Sequence, residues 1–237
     1  MPIYSAAFQL TYFPVPKVAN SSVRSVLHAV QIGADPATYR HGPAAQAQYG
    51  KLVTPLTAAK PFEEAWADHQ TSAQSGETLV LVRDPLRRFL SAFQNQIRHG
   101  RLAEKRQTEA MPQTGLSLRP SLEAFVEHFD VYARVYPMVR RHFAPMTFYV
   151  GEDLSRFDHV FQLERFETFE HFMSARLGRE MSFPVRKRSN LRWASEVSQD
   201  LLQRIQRSLA GDYRLLYRHY GGDSQGIAIP DWLRDVA

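Results

Sequence analysis

The chain has 237 residues, 44% of them hydrophobic, enough for one large domain with its own core. Lys and Arg number 29 against 24 Asp and Glu, a net charge of +5 that favours an anionic ligand without demanding nucleic acid. The absence of cysteine excludes disulfides, thiolate metal sites and thiol nucleophiles, and no run approaches the roughly 18 apolar residues of a membrane span.

The first ten residues, MPIYSAAFQL, lack the basic start and apolar centre of a secretion signal, so the expectation is a soluble, cytoplasmic protein. Residues 6–13 read as a strand rich in Phe, Tyr, Leu and Thr, closed by Pro14 and Pro16. Ser21 or Ser22 is placed to cap a helix whose apolar positions Val23, Val26, Leu27 and Val30 keep helical spacing and which ends near Gly33. Residues 34–60 read as loop, and 62–69 as a brief helix. Leu79-Val80-Leu81-Val82 is fully apolar, as a buried parallel strand requires. Asp84 then caps a helix with Pro85 at its first position. Its apolar face is Leu86, Phe89, Leu90, Phe93 and Ile97, and Arg88, Ser91, Asn95 and Arg98 line another. Gly100 ends it, and 101–119 is a polar excursion. Further on, helices are expected over 122–135, 167–177, 195–209 and 212–220, and strands over 146–150 and 160–163. Alternating strands and helices point to an α/β fold: one domain over 1–220 with a central, mostly parallel sheet flanked by helices, then a tail over 221–237.

In such sheets anions bind beyond the carboxyl ends of strands, where helices present free N–H groups. Two segments fit. In Pro16-Lys17-Val18-Ala19-Asn20-Ser21-Ser22, backbone amides and two hydroxyls could wrap a phosphate beside the Lys17 charge, although the glycines of G-x-x-x-x-G-K-[ST] are missing. The same residues also fit a plain strand–turn–helix with a solvated lysine. In Arg83-Asp84-Pro85, continued by Arg88 and Ser91-Ala92-Phe93, Arg83 ends the apolar strand and Ser91 lies two turns into the following helix. Alone, that arginine could be a surface residue and that serine could bond its own backbone. Arg88 reads as a structural ion-pair partner.

Together the two segments resemble the sulfotransferases that use 3′-phosphoadenosine 5′-phosphosulfate (PAPS), especially the carbohydrate branch with its P-loop-like architecture. The first is similar to the family's Pro-Lys-x-Ala/Gly-x-Ser/Thr-Ser, the second to V-R-[DE]-P-x-x-R-x-x-S-[AY]-[FY]. Weaker echoes are Phe157-Asp158 through Phe166-Glu167-Thr168, and Asp212-Tyr213 through Tyr220-Gly221. The resemblance implies that Lys17 and the loop Val18, Ala19, Asn20, Ser21 and Ser22 hold the 5′-phosphosulfate, and that Arg83 and Ser91 hold the 3′-phosphate. It places Arg186, Lys187, Arg188 and Ser189 near the adenosine and 3′-phosphate. It implies PAPS as co-substrate, 3′-phosphoadenosine 5′-phosphate (PAP) as product and no metal. The acceptor is a hydroxyl-bearing molecule, a glycan or glycolipid among the choices, and not a nucleic acid.

Sulfuryl transfer to a hydroxyl calls for a general base. His69 ranks first, and His41, Glu63, Glu64 and Asp68 stand beside it; no motif decides among them. Arg98, Arg101, Lys105 and Arg106 could attract an acidic acceptor or be a solvated face. A nucleotide-binding or scaffold protein that keeps the loops without the chemistry is the alternative reading, and the oligomeric state is left open.

Overall fold

The computed structural model describes residues 2–39, 61–72, 76–108, 115–181, 183 and 191–220; side chains at 105–108, 218 and 220 are excepted. The chain separates into two compact units, one of Met1–Arg83 and Met146–Arg188, the other of Asp84–Pro145 and Ser189–Ala237. No helix among the described residues is long and apolar enough to cross a membrane.

The first unit holds the sheet. Strand β1 (Ile3–Ser5) turns back into β2 (Leu10–Phe13), pairing antiparallel with Ser5 opposite Leu10. The single strand expected over 6–13 is therefore shorter, and residues 6–9 are a turn. Gln9 takes a left-handed φ of 53°, a conformation rare for a residue with a Cβ. From β2 the chain enters α1 (Asn20–Gln31); later come α2 (Phe62–Thr71), β3 (Glu77–Val82) and β4 (His159–Gln162). The order is β1-β2-β3-β4, with β2, β3 and β4 parallel. The fold is thus α/β with a mixed, mostly parallel sheet. Central β2 is wholly buried and β3 nearly so, which is why their apolar character was readable. Gly76 admits β3 beside the hairpin turn, because a Cβ there would lie 2.3 Å from the Gln9 carbonyl oxygen.

Helix α2 covers the end of β2: Phe62 and Trp66 pack on Phe13, with ring centroids at 6.1 and 5.5 Å, and Phe157 closes the cluster at 5.1 Å from Phe13. The Asp158 carboxylate accepts from the Thr78 backbone N–H (2.7 Å) and hydroxyl (2.8 Å), joining the starts of β3 and β4. The helix Phe166–Leu177 packs Phe169 and Phe172 against Phe161 of β4 and stops at left-handed Gly178. The strand expected over 146–150 is instead a helical turn, Thr147–Val150; the Met146 carbonyl accepts from the N–H groups of both Tyr149 and Val150.

The second unit is helical. Its first helix, α3 (Pro85–Phe93), starts as its sequence dictates: the Asp84 carboxylate accepts from the Arg87 N–H at 2.7 Å and Pro85 fills the first position. A wide π-turn, Gln94–Arg98, extends it. Phe89, Phe93, Phe125, Phe143, Leu202 and Ile205 belong to one buried core. The helix expected over 122–135 breaks at His128 into Leu122–Glu127 and Phe129–Val135. The one expected from 195 begins at Gln199, capped by Ser198, and Ser195 lies in a short 3-10 turn before it. The excursion after Gly100 carries the helix Arg101–Thr108, and the last described helix is Ala210–Tyr220.

Candidate active site

Between β2 and α1 the chain makes a loop with no glycine, and it does so by bending residues that seldom bend this way. Lys17 has φ 70° and Ala19 φ 46°, two of the three non-glycine residues with positive φ among those described. Each such conformation costs roughly 1–3 kcal/mol and persists only where neighbours fix it. Val15 and Val18 are 0% exposed, so the loop is nailed down on either side of the half-buried Lys17. Ala19 then serves as the cap residue of α1, its carbonyl accepting from the N–H groups of Ser22 (2.8 Å) and Val23 (3.1 Å).

Alanine at the cap position brings no side-chain acceptor to this helix, and its first turn contains no acidic residue. Neither Ser21 nor Ser22 takes the capping role expected of it: the helix begins earlier, at Asn20, and places both serines inside its first turn. The first N–H groups of a helix have no intrahelical acceptor, and the helix dipole adds partial positive charge there. An uncapped N-terminus behind a lysine is suited to an anion.

Arg83 follows β3, and the parallel register (Phe13 opposite Val80) brings the ends of β2 and β3 side by side. Its guanidinium reaches the first loop directly: Nη1 donates to the Lys17 carbonyl at 3.0 Å. The two sequence motifs are thus joined at Lys17 and Arg83.

Ser91 lies in α3 of the second unit and is 1% exposed. Its backbone carbonyl accepts from the Asn95 side-chain amide at 3.2 Å. Of the polar face expected on this helix, Arg88, Ser91 and Asn95 are buried, while Arg98 is exposed. Arg88 meets Asp212 at 3.4 Å, as its reading as a structural ion-pair partner anticipated, and donates to the Ala144 carbonyl. Burial and the Asp84 carboxylate push the neighbouring Tyr213 phenol above its ordinary range. Arg98 lies over the Trp193 ring at 5.0 Å.

His69 sits on the inner face of α2, its ring 5.8 Å from Phe13 and 5.6 Å from Trp66. Burial lowers its pKa, with the Asp158 charge pulling the other way; its Nδ1 has no hydrogen-bond partner among the described residues. The neutral imidazole, the form a base needs, is favoured. Glu63 is engaged by Arg156 at 2.7 Å, while Glu64 and Asp68 are exposed. His41 and the segment Arg186, Lys187, Arg188 and Ser189 lie outside the described residues. Sequence reasoning missed Arg156, whose guanidinium lies over Phe62 and Trp66 at 4.6 and 4.7 Å; only contacts between segments far apart in the chain reveal it.

A pH dependence of stability follows from three imidazoles. Burial holds His28, His69 and His219 below the ordinary histidine value of 6.5. As pH falls through that value the unfolded chain takes up these protons before the folded one does, so stability declines. The melting temperature at about pH 5.5 should be lower than at about pH 7.5. An unchanged or higher value would contradict the burial of these rings.

Among the described residues, no cluster of His, Asp and Glu is arranged to hold a metal ion. A sequence model of the family described as Sulfotransferase family matches residues 3–218. Neither a curated protein nor a solved structure matches the chain.

Proposed function

From the premise that the chain belongs to the sulfotransferase family, we propose that it moves a sulfuryl group from PAPS to a hydroxyl of an acceptor, a carbohydrate or glycoconjugate, and releases PAP. The observation that carries the donor assignment is the uncapped start of α1 behind Lys17, with Arg83 bonded to the same loop. The catalytic region on this reading is 1–220, with 221–237 as a tail, acting in the cytoplasm.

The amides and hydroxyls of Val18, Ala19, Asn20, Ser21 and Ser22 hold the 5′-phosphosulfate, and Arg83 and Ser91 hold the 3′-phosphate. Arg186, Lys187, Arg188 and Ser189 belong to the same nucleotide site. The acceptor oxygen attacks sulfur in line as the bond from sulfur to the bridging oxygen breaks. The electron pair stays on that oxygen, which becomes part of the departing 5′-phosphate. Lys17 stabilises the growing charge there, and His69 takes the acceptor proton. A loop built to encircle a triphosphate needs several glycines for close approach; this one grips a single phosphosulfate, and two strained non-glycine residues suffice.

Selectivity for the 3′-phosphate tests the donor. PAP should bind about 10- to 100-fold more tightly than AMP, the scale of one charge-assisted bond at roughly 1.5–3 kcal/mol. Titration calorimetry giving equal affinities would remove Arg83 and Ser91 from the nucleotide site.

A further inference from the structure

We propose that Arg83 is a positioning residue for Lys17: its guanidinium sets the Lys17 peptide and so aims the lysine, in addition to meeting the nucleotide. The proposal rests on the reading of Lys17 as the group that stabilises the leaving oxygen. Four observations converge on it. Lys17 and Ala19 are left-handed although neither is glycine. Val15 and Val18 are wholly buried, so the peptide between them has little room to relax. The Lys17 carbonyl receives the Arg83 Nη1–H at 3.0 Å. That arginine follows β3, the strand paired in parallel with the one that feeds the loop, so its base is as fixed as the sheet.

A left-handed residue turns its carbonyl out of the direction a helical or extended residue would give it, and a donor held there locks the turn. A guanidinium carries five N–H donors in a planar fork, enough to hold this carbonyl and an anion together. One side chain thereby joins the grip on the nucleotide to the aim of Lys17. A ligand to the 3′-phosphate alone would govern nucleotide affinity; an arginine that also sets the loop governs turnover at saturating donor.

The test is hydrogen–deuterium exchange on the full, nucleotide-free chain for the parent, Arg83→Ala and Arg83→Lys. The amides of Ser22 and Val23, which donate to the Ala19 carbonyl, should exchange about 10- to 100-fold faster in both variants, the scale of a lost charge-assisted hydrogen bond. Amides of residues 79–82 should keep their protection. Arg83→Lys retains the charge at the end of β3, so it supplies the answer should Arg83→Ala not fold. Parental exchange in the loop of the folded variant overturns the proposal. This readout needs no nucleotide, so its failure is distinct from a failure of the PAP assignment. With PAPS saturating, Arg83→Lys should also lower kcat; a raised KM at parental kcat would mark Arg83 as a binding residue only and likewise overturn the proposal.

Discussion

Lys17→Ala should lower kcat by about 100-fold or more at saturating PAPS, close to the 2.7 kcal/mol scale of a lost electrostatic stabiliser. The effect belongs in turnover because the lysine's charge matters most when the bridging oxygen is most negative, late in the transfer. Nucleotide affinity should fall less, since the uncapped amides of α1 and Arg83 remain. The fold should survive. The valines on either side carry the packing, while the Lys17 side chain is half-buried and its carbonyl, which Arg83 holds, is kept in alanine. A melting temperature equal to the parent's, together with the lost turnover, separates chemistry from stability. Parental turnover would reduce the loop to an ordinary connection.

The second large effect is on stability. Asp212→Ala should cost about 3–5 kcal/mol, because it leaves the Arg88 charge buried without its carboxylate. The side chains of the two residues are 3% and 1% exposed, so water cannot replace the lost partner. Arg88 stands three residues after the proline that starts α3, and Asp212 lies in the first turn of the last described helix; the pair fastens segments 124 residues apart in the chain. Replacing both, as Arg88→Met with Asp212→Leu, should cost less than Asp212→Ala alone, since no unpaired charge is left behind. Urea denaturation of the two variants and the parent measures both values. A loss below about 1 kcal/mol for Asp212→Ala would mean that the pair behaves as a solvated surface bridge.

What the sequence disclosed and what it withheld divide along physical lines. The strand Glu77–Val82 was readable because burial on both faces demands a continuous apolar run, and the start of α3 because Asp84 and Pro85 act locally. The ion-pair role of Arg88 was also anticipated. The misreadings cluster where backbone geometry departs from residue type. Gln9 turns left-handed and cuts a strand expected over 6–13. Ala19, also left-handed, starts α1 early and deprives both serines of the cap. Thr147–Val150 has the β-branched and aromatic composition of a strand, yet its backbone closes onto Met146 as a helical turn. The donor from Arg83 to the Lys17 carbonyl was equally invisible, because a side chain's bond to a distant backbone leaves no periodicity behind. At the candidate site, the residue types and their order were legible; the strain that shapes the loop was not.

Incubation of the chain with labelled PAPS and a panel of sugars, glycolipids and phenols, read by mass spectrometry, tests the central claim most directly. The expected result is PAP released in step with one acceptor gaining a sulfuryl group on a hydroxyl oxygen, and neither product formed by Lys17→Ala at a comparable rate. PAPS that binds but stays intact across the whole panel would contradict it, and would leave a nucleotide-binding protein without sulfuryl transfer.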